Sequence, residues 1–481
     1  MKKIIKGGTV VTASGEFKAD VFIEDGRVAA VGKSLGAGDP GSAAAVGKPF
    51  WAGAEADDAE IIDASGKYVM PGGVDQHVHF SFVYNGASVR GFETSAAAAA
   101  GGTTTVVEFV NQERGKSITA SIKDYEAERV AGKAAVDYSF HGVLTDASEA
   151  TYREIPRLPE AGIPTVKLFM AYKGAFYHAD DEAVFRSLQE SREAGVTIMV
   201  HAENADVIDA LQKQLLAKGE TGPYGHALSR PPWVEIEATQ RAIALAILAD
   251  APLYVVHVSA KGAMEAIREA AARGVRVSGE TCTHYLALDT ENLARPGFEG
   301  GKYVCSPALR SAEHREALWD AVRMDWLGAV SSDHCGFDWA VQKHMGKDDF
   351  TKIPNGCPGM QDRLGVLWTE GVCTGRISRS RLVGLFATAP ADVCGIGHVK
   401  GRLDVGYDAD VVVYDPEGEY TITNGTRLHG VDFDPYEGFV QKGRVDTVLL
   451  RGETLVRDGA YIGRGSEGIF VPGKPFGAAY F

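Results

Sequence analysis

Cysteine is scarce and never paired as CxxC. The six thiols (Cys282, Cys305, Cys335, Cys357, Cys373 and Cys394) all fall in the second half of 481 residues. That spacing argues against a disulfide framework and for a reduced, cytoplasmic protein with buried thiols. Long apolar runs are missing too, and nothing approaches the length that spans a bilayer. The opening MKKIIKGGTVV has the charge of a signal peptide, but Lys6, Gly7 and Gly8 interrupt its apolar stretch; it reads as a first strand and a turn. Positive charge is in deficit, 49 Lys and Arg against 64 Asp and Glu, for a formal net charge of −15. A nucleic-acid surface is therefore disfavoured, and small molecules are the expected partners.

What is present divides into two textures. The first ~65 residues alternate and turn often, as in KKIIKGGTVV, ADVFIEDGRVAAVG and IIDASGKYVMPGG, with a Gly/Ala-rich surface loop expected at 36–58. The same texture returns in GRLDVGYDADVVVYDP and RVDTVLLRGETLVRDGAYIG. Both ends together predict one small β-sandwich domain, from residues 1–69 and 396–465, with the middle of the chain inserted between its halves. That middle, 70–395, repeats short apolar runs: MPGGVDQHVHF, TTTVVEFV, AVDYSFHGVL, PTVKLFMAY, TIMVHAEN, PLYVVHVSA, RVSGETC and GAVSSDHC. Helix-like stretches such as DDEAVFRSLQESREAG separate them. Eight strands alternating with helices predict an α/β fold, a (β/α)8 TIM-type barrel. The tail 466–481, SEGIFVPGKPFGAAYF, is unlike a core element and is expected at a subunit interface.

The chemistry-bearing residues gather at the ends of the predicted strands. His77 and His79 close the first, Lys167 lies on the fourth, His201 ends the fifth, His257 is on the sixth and Asp333 ends the eighth. Those ends share one face of a barrel, where active sites lie. An HxH on a strand points both imidazoles to one side. Four histidines and an aspartate converging on one cavity suit zinc and its neighbours. Lys167 stands inside an apolar run, where an ammonium must snorkel, pair with a carboxylate or sit desolvated as an amine. An amine can take up carbon dioxide as a carbamate, whose carboxylate head is the anionic bridge that two adjacent metal ions need.

These stretches, with AAAAGGTTTVVEF, VKLFMAYKG, MVHAEN, TGPYGHALSRPP, VVHVSAKGA, GETCTHYL, KYVCSPALR, SSDHCGF and FTKIPNGCPGMQDR, resemble the hydantoinase/dihydropyrimidinase family of the amidohydrolase superfamily. They run in order over nearly the whole chain. The resemblance implies two zinc ions per subunit, one on His77, His79 and Asp333 and the other on His201 and His257, bridged by Lys167 as N6-carboxylysine. Tyr172 would steady the oxyanion, and main-chain groups of Ser306 and Asn355 would hold the cyclic amide. A metal-bridging hydroxide would attack the ring carbonyl, with Asp333 carrying its proton to the leaving nitrogen. The products would be N-carbamoyl amino acids, and the assembly a homo-oligomer, a tetramer ahead of a dimer. His141 reads as core; His284 and His334 as neighbours of the ligands; His178 as a solvated loop histidine; Glu203 as a ligand-orienting group or a helix cap; and Cys335 as no nucleophile.

The departures from the family text lie in loops. HFSFVYNGASVRG has no arginine before Arg90, which weakens a dihydroorotase reading, and Phe80, Phe82 and Tyr84 suit an uncharged ring substituent better. Gly336 stands where the family often has proline. An allantoinase or a cyclic-imide hydrolase with the same metal site stays open, as does a non-catalytic scaffold relative, although every expected ligand is retained. A mononuclear deaminase on the same barrel would leave the bridging lysine without a purpose.

Overall fold

Parallel strands alternate with helices through the middle of the chain in the computed structural model, which describes residues 1–32, 59–84 and 86–475. The loop expected at 36–58 lies outside the described residues. The strands are β1 (Gly73–His79), β2 (Thr103–Asn111), β3 (Asp137–Val143), β4 (Thr165–Phe169), β5 (Thr197–His201), β6 (Leu253–Val255), β7 (Val277–Cys282) and β8 (Ala329–Ser331). Neighbours pair in chain order, and a two-residue continuation of β8, His334–Cys335, pairs back onto Val78 and His79 of β1. The sheet is therefore a closed (β/α)8 barrel, as the strand count predicts. Asp333 sits in the break of the eighth strand with φ +47°, a left-handed backbone that aspartate tolerates better than most residues.

Alternation along each strand sorts side chains between the barrel interior and the surrounding helices. The interior holds an apolar layer of Val74, Val107, Ala391, Cys394 and Ile396 toward the amino ends of the strands. A second layer, of Phe109, Val143, Met199, Tyr254 and Val256, lies above it and floors the cavity at the carboxyl ends. The polar residues listed from the sequence stand on this floor.

Two antiparallel-rich sheets, built from Lys2–Pro71 and Val411–Tyr461, form the β-sandwich. Consecutive apolar residues there have opposite assignments. Val69, Val411, Val413 and Leu449 pack inside the sandwich, whereas Met70, Val412, Tyr414, Val448 and Leu450 pack against the barrel. The larger sheet is thus buried on both faces, which explains why DVVVYD and TVLL read as unbroken apolar runs. Through residue 475 the tail packs along its own barrel. Phe470 stacks on Phe140 with ring centres 5.6 Å apart, Tyr138 N donates to Ile469 O, and Lys474 N donates to Gly395 O, all on its own barrel. Among the described residues no helix is long and apolar enough to cross a membrane.

A buried ion network joins barrel and sandwich. Lys400, fully buried, donates to Asp137 at the start of β3 at 2.5 Å and to Asp410 at 2.9 Å, and Asp408 lies 2.9 Å away. Arg451 also pairs with Asp137. Burial alone would lower the Lys400 pKa, but the three carboxylates outweigh it and hold the ammonium charged. Lys400→Met removes the central cation and leaves three buried carboxylates to Arg451 on Asp137 and the half-exposed Arg27 on Asp408. The expected loss is about 3–5 kcal/mol of stability, read from urea denaturation; a loss under about 1 kcal/mol would show that water relieves the cluster.

Candidate metal centre

His77 and His79 project to the same side of β1, with ring centres 5.2 Å apart. Each has its Nε2 3.4 Å from Asp333 Oδ1, so this part of the predicted set is assembled. The orientation of His77 is fixed from behind: its Nδ1 lies 2.5 Å from Glu280 Oε1 on β7, and Glu280 also accepts from Gln76. His201 closes β5 and is held in the same way, Nε2 lying 2.7 Å from Glu203 Oε2. Its free Nδ1 meets His257 Nε2 at 3.0 Å. His257 stands two residues beyond β6 in a left-handed conformation, φ +42°, and its Nδ1 is buried without a hydrogen-bond partner. The His77 and His257 rings are 5.3 Å apart, which places both halves of the set in one cavity.

Lys167 rises from β4 between them. Its Nζ is 3.0 Å from His77 Nε2 and lies over the rings of Phe109 and Phe169, 4.1 and 4.7 Å from their centres. Burial lowers its pKa to about 8, although Asp333 and Glu280 pull the other way. About a tenth of this side chain is therefore a neutral amine at pH 7, far more than for an ordinary lysine. Burial likewise holds His77, His79, His201 and His257 below the usual imidazole range, so their ring nitrogens keep lone pairs. Burial opposes the ionised form of Asp333, but His79 and Lys167 outweigh it and keep the carboxylate anionic. Four neutral imidazoles and a carboxylate facing one another, with one buried nitrogen unpartnered, fit divalent metal ions of the zinc type.

Tyr172 follows β4 in a left-handed conformation, φ +61°. Its ring lies 5.3 Å from that of His201, and Asn355 Nδ2 donates to its hydroxyl at 3.4 Å. Burial pushes the phenol up against the opposing charge of Arg230, so it remains a hydrogen-bond donor. Ser306 is buried beside it. A cavity of about 210 Å³ opens between Tyr172, Asn355, Arg230, His226 and Phe350. Lys343 ties its far wall: the buried ammonium donates to Val304 O and Pro354 O, both at 2.9 Å, and so spans the segments that carry Ser306 and Asn355.

The remaining candidates sort by their partners. His141 is a satisfied core residue, bound to Thr165 Oγ1 and Gln76 O. His178 is exposed and pairs with Ala171 O. His334 accepts from Gly359 N and packs on Phe80. Glu203 is no cap, because Asn204 caps the helix Ala205–Ala217. The Cys335 thiol is buried and pushed up, away from nucleophile behaviour. Phe80 is corrected: it is fully buried against Phe92 and belongs to the core, leaving Phe82 nearer the surface. Glu280, Gln76, Arg230 and Lys343 were missed by sequence reasoning. Arg230 and Lys343 stand in polar, turn-rich text without the apolar run that singles out Lys167, and their roles come from partners distant in sequence.

Comparison with known proteins agrees with this geometry. Residues 68–455 match the amidohydrolase family. The chain is 46% identical to a D-hydantoinase of Streptomyces coelicolor over 98% of each chain. It is 42% identical to a D-hydantoinase of Geobacillus stearothermophilus over 99% of this chain and 98% of that one. The crystal structure of a dihydropyrimidinase from Brevibacillus agri superposes with a TM-score of 0.92 at 43% identity, covering 99% of both chains. On this similarity, which spans barrel and sandwich alike, the chain belongs to the hydantoinase/dihydropyrimidinase family of amidohydrolases.

Proposed function

We propose that this chain is a zinc-dependent cyclic amidohydrolase of the D-hydantoinase type, opening 5-substituted hydantoins and dihydropyrimidines to N-carbamoyl amino acids. The observation that supports the reading most is the surroundings of Lys167, a buried amine with an imidazole and two aromatic faces as its neighbours. Carbon dioxide adds to the neutral amine, forming the N–C bond of a carbamate and releasing one proton, and the buried cation becomes an anion. His77, His79 and Asp333 would then hold one zinc and His201 and His257 the other, with carboxylated Lys167 shared. Bound there, the two ions supply a hydroxide nucleophile at neutral pH and a Lewis acid for the ring carbonyl.

The other tasks fall to the chain itself. Main-chain groups at Ser306 and Asn355 hold the ring. The Tyr172 hydroxyl donates to the oxygen that becomes negative as water adds to the carbonyl. Asp333, half-turned into the cavity by its left-handed backbone, takes the proton of the attacking water and returns it to the ring nitrogen as the C–N bond breaks. The enzyme is read as cytoplasmic, on its free thiols, and as a homo-oligomer with the tetramer favoured.

Zinc-loaded protein should open dihydrouracil and 5-substituted hydantoins, releasing the D product from racemic hydantoins. Lys167→Ala should lose bound zinc and at least about a hundredfold in kcat; an alanine variant that keeps both metal and turnover would refute the bridge. Glu280→Gln replaces the carboxyl that holds His77 Nδ1 with an amide and should weaken zinc binding by about 10–100-fold in a chelator competition. Lys343→Met frees both ring-holding segments, so KM should rise about tenfold while kcat changes little. A fall confined to kcat would show that Lys343 does not act on substrate positioning.

A further inference from the structure

Asp333 sits in the break between Ala329–Ser331 and His334–Cys335, and its left-handed φ of +47° persists only where the surroundings fix it. Two side chains do so. Ser332 N donates to Asp75 Oδ1 at 3.0 Å, and His334 N donates to Ser332 Oγ at 3.1 Å, so the residues on either side of Asp333 are both tied. Asp75 lies on β1, 257 residues earlier in the chain, and is fully buried.

The seam behind this turn is closed by a side chain. Ala329–Ser331 pairs with β7 but, among the described residues, has no ladder to β1; only His334–Cys335 rejoins that strand. Arg363, fully buried, spans the gap. Its Nη1 donates to Val74 O on β1 at 2.8 Å and to Val330 O on β8 at 3.1 Å, and its Nη2 donates to Thr103 Oγ1 on β2 at 2.9 Å. Its Nε lies 3.8 Å from Asp75 Oδ2, an ion pair without a hydrogen bond. Gly73 leaves room for the guanidinium, since a β-carbon there would come within 3.0 Å of Nη2. The rigid fork of arginine suits this bridge in a way that a single ammonium does not.

We propose that Asp75 and Arg363 are positioning residues that together aim the Asp333 carboxylate from across the barrel seam. Arg363 sets the spacing of β1 and β8, and Asp75 holds Ser332 N so that the next residue turns into the cavity. Neither carries the travelling proton; both act through Asp333. The catalytic half of this inference rests on the function proposed above, whereas its effect on metal binding needs only the donor set already described. Misplacing a reacting group by about 1 Å can cost about a hundredfold in rate, so the aim of this carboxylate matters.

The test uses the full chain loaded with zinc, with dihydrouracil as substrate and a chelator competition run beside it. Asp75→Leu removes the acceptor for Ser332 N, and one of the two zinc ions should bind at least about tenfold more weakly. At saturating zinc, kcat should fall about tenfold or more while KM stays within about twofold. The solvent deuterium isotope effect on kcat should rise, because a misaimed carboxylate makes proton transfer limiting. Asp75→Asn keeps an oxygen for Ser332 N and should restore kcat and zinc affinity to within about threefold of the parent. Arg363→Lys keeps the charge without the fork and should share the losses of the leucine variant. A merely structural role would lower the folded fraction and leave the isotope effect and the zinc affinity of the folded protein unmoved. Ser332→Ala releases His334 N, should show the same split, and serves where Asp75→Leu does not fold. Parental kcat, isotope effect and zinc affinity in the leucine or alanine variant would overturn the proposal, as would an asparagine variant no better than leucine; parental values in Arg363→Lys would overturn the part given to Arg363. If no form opens any ring, the proposed reaction fails, and the chelator competition alone decides the positioning role.

Discussion

Burying an ammonium group is costly, and the barrel accepts that cost at Lys167 without giving the residue a carboxylate of its own. In parallel register it pairs with Met199, and its Nζ rests on Phe109 and Phe169. Asp333 acts on that ammonium only through space, because its carboxylate faces His77 and His79 at 3.4 Å instead. Read as a protein core, the arrangement is frustrated at each of these residues. Read as a set of lone pairs turned toward one point, it is consistent throughout.

The groups behind the histidines set how the donors point. Glu280 and Glu203 are both buried, and each grips one imidazole, yet burial raises Glu280 to about 8 while Glu203 stays near 2. Burial acts on both. The difference is Arg230, whose Nε lies 3.5 Å from Glu203 and which, together with His201 and Arg310, outweighs its desolvation, whereas Glu280 has the neutral Gln76 as its second partner. One arm of the site thus carries its own counter-cation and the other relies on charge at the centre. The same Arg230 lies 5.8 Å from the Tyr172 ring, so the pair that orients His201 also faces the phenol.

Much of this was legible in the sequence because strands impose a two-residue period. HVH, VKLF and MVH each place their polar residue on a known side of a β-strand, and eight such strands close in only one way. The sandwich was legible for the same reason, although Val412 and Val413 face different cores. What the period cannot reach lies where chains leave the strands. His257, Tyr172 and Asp333 all have positive φ, so their side chains are aimed by backbone conformations that no alternation rule describes. Partners distant in sequence were invisible too: Glu280 meets His77 across 203 residues, and Lys343 meets Val304 across 39.

The Phe80 correction follows from the same limit. The residue after HVH was read as lining the substrate pocket, but the strand's alternation carries it outward, where Phe92 and His334 enclose it. Residues that meet a ring substituent must therefore come from segments freed of strand geometry, beginning with Phe82, which rests edge-on against Phe337. Those are the segments in which this sequence departs from its family, around residues 81–90 and at Gly336. Gly336 packs so close to Arg90 that a β-carbon there would come within 2.6 Å of that side chain. The glycine and the altered loop are thus one coupled change. A proline at 336 would push Arg90 aside and, with it, the segment around residues 81–90, so the two segments are constrained to fit each other while the strand ends stay fixed.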